Sequence, residues 1–384
     1  MRFIKNENVL TLFFEGEVNS YNSENIDKEI NEIIKNNTFD KLILDFSNLR
    51  YISSAGLRVV LKLKQKYNDV HVAECSLEVY DILSMTGFTT IMDVKKAYRR
   101  VYISGAQVIG EGFYSIVYRI DKDTIIKVFT HVDDEEQIER ELKLAKEAFV
   151  LGIPTAISFD IVKVDDKYGV CYEMLDCDSL KNSVVKHPER IHEYLEKYAA
   201  LLKKINTTEC DSPIVPPIKK KYIKQLTQIE NVLPQDLYEK AYKMLDALPE
   251  RKTFIHGDCH FKNIMVQNDE LLLIDMDTLS TGHPIFELAA IYSAYVAFNE
   301  DNPEDSVKFF GVSAEDALKL YNALIDQYFG KDDLASKEKI QLLSYIHMLR
   351  WFVIKDPDNK HAIELFKTKL INLLGKYDNL DIGV

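Results

Sequence analysis

The stretch IHGDCHFKNIM, followed shortly by LLLIDMD, constrains this chain more than any other part of it. Asp258 precedes Asn263 by five positions, and Asp275 closes the apolar run 271–274, so a strand delivers its carboxylate beside the polar loop. A carboxylate plus an amide carbonyl suits Mg²⁺, a hard cation that takes few protein oxygens and completes its shell with phosphates and water. A rival reading takes His256, Asp258 and His260, with Cys259 added, as a hydrolase metal cluster. No second histidine pair occurs downstream at ligand spacing to support it.

Upstream, Gly110 and Gly112 in VIGEGFYSIVY form GxGxxS ending at Ser115, flanked by strand-like residues. Glycines there let backbone N–H groups approach phosphate oxygens without Cβ interference. Lys127 lies on the next strand, in TIIKVF, and the helix after it offers Glu141 as a partner, with Glu139 as the alternative. Strands are expected over 106–117, 125–129 and 168–174, with a helix over 135–151. Helical patterns dominate from 179 onward.

The first 100 residues read differently. Strands at 9–14, 42–46 and 69–73 alternate with helices at 23–35, from Ser53 or Ser54 to 66, and 77–85, which predicts one small α/β layer with right-handed crossovers. Basic and acidic residues balance over residues 1–100, so the whole net charge of -13 belongs to residues 101–384. That acidity argues against nucleic acid as a partner. Five cysteines without CxxC spacing, no signal-peptide pattern and no bilayer-length apolar run predict a cytoplasmic protein without a membrane partner.

Residues 1–100 resemble the STAS domain, the fold of bacterial anti-sigma factor antagonists, through LILDFSNLRYISSAGLRVVLKLK and VYDILSMTGF. The resemblance implies a serine phosphosite at the start of the second helix and a protein partner on that surface. Aligned on Gly56 and Leu57, the usual phosphoserine position is Ala55, leaving Ser54 and Ser53 as candidates. Simple helix capping is the competing role for both serines.

Residues 106–384 resemble the aminoglycoside phosphotransferase and choline kinase-like family, through HGDCHFKN and GHPIFELA. That implies an α+β bilobal protein-kinase-like fold, with an N-lobe at 106–176 and a helical C-lobe at 177–384. It also implies transfer of the γ-phosphate of ATP to a hydroxyl of a small molecule. The implied roles are Asp258 as catalytic base or orienter and Asn263 and Asp275 as Mg²⁺ ligands, with Asp277 for a second Mg²⁺. Gly110, Gly112, Ser115 and Lys127 would hold phosphates, with Lys127 positioned by Glu141. Departures are Ser115 for the third glycine, Asp277 for the glycine of protein kinases, and Glu287 for the usual Asp.

For the acceptor, the acids Glu300, Asp301, Glu304 and Asp305 and the aromatics Tyr345, Trp351 and Phe352 fit a cationic amine, and equally a solvated surface and an ordinary core. Lys219, Lys220 and Lys221 read as an exposed loop face. Two other functions fit the chain: a nucleotide-sensing regulator acting through the STAS surface, and a kinase that modifies its own Ser53 or Ser54.

Overall fold

The computed structural model describes residues 1–112, 114–131, 134–175 and 177–384. The chain divides into two compact units, Met1–Val101 and Tyr102–Val384.

In the first unit the sheet order is Arg2–Asn6, Val9–Val18, Lys41–Ile52, Val70–Cys75, Val94–Lys96, the first pair antiparallel and the rest parallel. Leu10, Leu12, Leu42 and Leu44 alternate onto the covered face and are fully buried, each worth about 1.5–3 kcal/mol over exposure. The second strand does not stop at Gly16 as the sequence predicts. It continues to Val18 because Gly16 takes a left-handed φ of 69° where the pairing register shifts. The strand Arg2–Asn6 was not expected; all five residues are exposed, so it lacks the apolar alternation that marks a strand.

Ser53 caps the helix Ser54–Lys66, its Oγ accepting the Gly56 N–H at 3.4 Å. Gly56 is obligatory: a Cβ there would lie 2.7 Å from both Ile52 Cγ1 and Val18 Cγ1.

In the second unit a larger sheet runs antiparallel in the order Ser158–Val164, Lys167–Glu173, Thr124–Phe129, Ser115–Arg119, Gln107–Glu111. The strand expected over 106–117 is instead a hairpin, and Ser158–Val164 is an addition. Phe113, within that expected strand, lies outside the described residues. The helix Glu135–Val150 is capped by Asp134 and buries Ile138, Glu141, Leu144, Ala145 and Ala148. Beyond residue 180 the unit is mainly helical, with the longest helix, Leu334–Lys355, in its core. Lys219–Lys221 correct another expectation. They lie in the first turn of the helix Ile218–Thr227, whose N-cap is Pro217, and not in a loop, while Lys220 and Lys221 are exposed as expected. Among the described residues no helix is long and apolar enough to cross a membrane.

Candidate active site

The polar loop 256–263 is held between two strand pairs. Phe254–Ile255 pairs with Ser280–Thr281, and Ile264–Gln267 forms a hairpin with Glu270–Leu273. His256 is fully buried; its Nδ1 accepts the Asp258 N–H at 3.3 Å, so Nε2 carries the hydrogen and donates to the Ile274 carbonyl at 3.1 Å. Burial lowers its pKa and keeps it neutral. Gly257 has φ 81°, and a Cβ would meet the Thr278 carbonyl at 3.2 Å, so this loop admits only glycine there. Glu287 clasps the loop from the helix Ile285–Tyr292: its carboxylate, fully buried, accepts the N–H of His256 at 2.5 Å and of Gly257 at 3.1 Å. Burial pushes the Glu287 carboxyl up to about 7 against those two donors. In the sequence Glu287 stood out only as a departure from a family pattern; its clasp depends on a helix brought across the fold.

Asp258 opens to the cleft, its side chain 44% exposed, yet protein surrounds it closely enough that desolvation pushes its carboxyl up to about 6. Asn263 Nδ2 donates to Asp258 Oδ2 at 2.9 Å and to the Asp258 carbonyl at 3.0 Å, which fixes the carboxylate and leaves the Asn263 amide oxygen to accept from or coordinate something else. The backbone N–H of Ile274 donates to the Asn263 carbonyl at 3.0 Å, which sets Asn263 beside the segment that ends in Asp275.

Lys127 joins the strand-rich part to this loop. Its Nζ bonds Glu141 Oε1 at 2.7 Å and Asp275 Oδ1 at 2.8 Å, and Tyr172 Oη donates to the same Glu141 oxygen at 3.3 Å. Burial opposes the Lys127 charge, but Glu141 and Asp275 hold the ammonium well above its usual range. The structure thus selects Glu141 over Glu139. Glu141 shares the buried face with Ile138 and Ala145 at i−3 and i+4, and Glu139 pairs with Lys143 at 3.6 Å along the helix. Asp275 sits at φ 68°, a conformation rare outside glycine and found at functional sites. Burial raises the Asp275 carboxyl, and Lys127, by charge and hydrogen bond, more than offsets this and holds it below the usual range. Asp277, two residues on, is pushed up to about 7 by burial and by the charges of Asp275 and Glu141.

Two carboxylates and an uncommitted amide oxygen make a hard-oxygen donor set, and the crowding of negative charge at Asp277 is relieved by a divalent cation. The residues present therefore fit Mg²⁺. They do not fit the alternative cluster. His256 is committed to backbone groups, which leaves only His260, its Nε2 3.5 Å from Asp258 Oδ1 and its ring edge-on to Phe309, beside the carboxylate. Among the described residues no three His, Cys, Asp or Glu side chains converge as ligands.

Gly110 lies in the strand Gln107–Glu111 opposite Val117, and Gly112 follows that strand, its N–H donating to the Ser115 carbonyl at 2.8 Å. A Cβ at either glycine would meet its neighbours no closer than 3.6 Å, so the folded chain itself does not require glycine. Ser115 is buried in the strand Ser115–Arg119. Ser53 is engaged as a helix cap and Ser54 is exposed in the first turn.

Glu300, Asp301, Tyr345 and Phe352, expected to suit a cationic acceptor, are engaged elsewhere, and Glu304 is exposed. Tyr292 and Tyr345 donate to Glu300 Oε1 at 3.1 and 3.0 Å, and Lys369 pairs with its Oε2 at 2.9 Å. Asn359 donates to Asp301 at 2.9 Å. Tyr345 and Phe352 are buried and pack on Phe366, and they form no open cage.

The phosphotransferase enzyme family profile matches residues 105–321, and the STAS domain profile matches residues 1–101. The first unit is 33% identical over 94 residues to a protein of Bordetella bronchiseptica described as putative anti-sigma factor antagonist BtrV, covering 23% of this chain and 80% of that one. It is 27% identical over 90 residues to the anti-sigma F factor antagonist of Paenibacillus polymyxa, covering 22% and 77%. Among solved structures the chain is similar to a choline/ethanolamine kinase family protein of Mesorhizobium loti, at 14% identity over 70% of this chain and 87% of that one, TM-score 0.46. It is likewise similar to the aminoglycoside phosphotransferase APH(2'')-Ib, at 15% identity over 71% and 93%, TM-score 0.47.

Proposed function

From a chain that belongs to the phosphotransferase enzyme family and carries a STAS domain over residues 1–101, we propose an ATP- and Mg²⁺-dependent phosphotransferase acting on a hydroxyl of a small molecule. The observation that carries this reading is the bridge from Lys127 to Glu141 and Asp275, set beside an Asp258 that Asn263 holds in place. Asp258 orients the acceptor hydroxyl and takes its proton as the new oxygen–phosphorus bond forms and the bond to ADP breaks. A carboxylate pushed up to about 6 is matched to that task near neutral pH. Lys127, steadied by the buried Glu141, holds the phosphates, and the hairpin that carries Gly110, Gly112 and Ser115 covers them. Asn263, Asp275 and Asp277 would hold Mg²⁺, which when bound supplies charge neutralisation on the transferring phosphate. Glu287 acts through the loop, by fixing the backbone on which Asp258 stands. The STAS unit offers the surface for a protein partner. Replacing Asp275 with Asn tests the assignment by ADP release under Mg-ATP: turnover is expected to vanish, and substantial remaining activity would overturn it.

A further inference from the structure

Beside Asp258 lies a cavity of about 110 Å³ whose lining includes Lys221, Gln225, His347, Phe286 and Phe298. It is smaller than the ~150 Å³ engineered cavity that admits benzene, so it seats a unit of a few carbons. The π-helical turn Ser293–Ala297 borders it, and such turns cluster at functional sites.

Two of its polar groups lack partners among the described residues. Lys221 lines the cavity with an exposed side chain and makes no hydrogen bond or ion pair among the described residues; Asp277 and Asp258 act on its charge with one sign, Arg350 and Arg140 with the other. Gln225, only 6% exposed, has a buried Oε1 with no partner among the described residues, and its Nε2 donates to His347 Nδ1 at 3.2 Å. That bond leaves the hydrogen of the neutral imidazole on His347 Nε2. A buried acceptor without a partner, as Gln225 Oε1 is, is rare in folded proteins and suits a hydroxyl donor of a ligand, while the Lys221 ammonium at the exposed side of the cavity attracts an anion. Among the described residues Asp258 is the only acid lining the cavity, and it is needed at the reacting hydroxyl.

Resting on the phosphotransferase reading above, we propose that this cavity seats the acceptor, and that the acceptor is a small hydroxylated carboxylic acid with its carboxylate on Lys221 and its reacting hydroxyl at Asp258. The hydroxyl oxygen gains the γ-phosphoryl group of ATP, its proton passes to Asp258, and ADP leaves. The cavity sets charge preference, and the acidic surface beyond it does not.

The test is acceptor-stimulated ADP release by the full chain with Mg-ATP, using glycerate and 3-hydroxybutyrate against glycerol and against choline. Phosphorylated product is confirmed by mass. The acids are expected to exceed the neutral and cationic alcohols by tenfold or more in kcat/KM, and Lys221→Met is expected to erase that ratio. A Lys221→Glu variant, with folding checked by circular dichroism, is expected to favour choline over the acids. Preference of the wild type for glycerol or choline would overturn the acid assignment while leaving phosphotransfer standing. An equal fall for all acceptors in Lys221→Met would also overturn it, placing Lys221 on the phosphate. If no alcohol of any charge is phosphorylated although Mg-ATP binds, this assignment and the phosphotransferase reading fall together.

Discussion

Replacing Lys127 with Met separates what holds the site together from what makes it work. The side chains of Lys127 and Glu141 are only 16% and 7% exposed, so the variant strands a buried carboxylate, and losses of about 3–5 kcal/mol result when one member of such a pair is removed. The second bond, to Asp275, adds little, about 0–1 kcal/mol, because that carboxylate is 38% exposed and solvent screens it. Trp351 is the only tryptophan and packs against Phe298 and Phe352 in the second unit, so its fluorescence in a urea titration reports on that unit alone. Adding Glu141→Gln removes the stranded charge and keeps an oxygen for Tyr172, so the double variant should recover most of the lost stability. It should not recover phosphotransfer, which is expected to stay down by about 100-fold or more in both variants, because the phosphates have lost their cation. A single variant costing under about 1 kcal/mol, or a double variant that regains activity, would show that Lys127 does not play these two roles.

The same contacts set other outcomes. Glu287 has a folded pKa of about 7 against an ordinary 4.5, so the native chain binds its proton more readily than the unfolded one does. The stability it contributes is complete at low pH and lost as pH rises from about 4.5 through 7, by roughly 3 kcal/mol at most. Because Asp258 and Asp277 are also pushed up, both chains should lose stability between pH 5 and pH 8 in urea titrations, the wild type by roughly 3 kcal/mol more than Glu287→Gln; an equal loss in both would contradict it. Gly56→Ala should destabilise the first unit by about 1–3 kcal/mol, seen as an earlier far-ultraviolet transition with Trp351 unaffected, because a Cβ would sit 2.9 Å from the Val18 carbonyl. Incubation with Mg-ATP should leave the intact mass unchanged, since Ser53 is engaged as a cap and the usual modified position is Ala55; a gain of one phosphoryl mass on Ser53 or Ser54 would reverse that view.

Much of the site was legible because its parts are local. Asp258, Asn263 and Asp275 fall within one loop and the hairpin after it, so spacing alone brings them near one another. Glu141 and Glu139 were not separable by motif, though the apolar face carrying Ile138 and Ala145 already pointed to Glu141. Gln225 and His347 carried no local signal, and Lys221 and Glu287 stood out only as part of a lysine run and as a departure from a family pattern: they come from three helices far apart in sequence, and only packing of the helical region gathers them around Asp258. The triple lysine after three prolines looked like a loop because proline breaks helices, whereas Pro217 begins one. In the first unit the buried strands were readable from their alternation; the wholly exposed Arg2–Asn6 was not.

Phosphorus NMR of the full chain with Mg-ATP and the acceptor panel follows the proposed transfer of a phosphoryl group from ATP to a small alcohol in this cleft. A new phosphomonoester signal is expected to grow as ADP appears and to be absent with Asp258→Asn. Mg-ATP binding with no phosphomonoester from any acceptor, or a signal that survives Asp258→Asn undiminished, would contradict it.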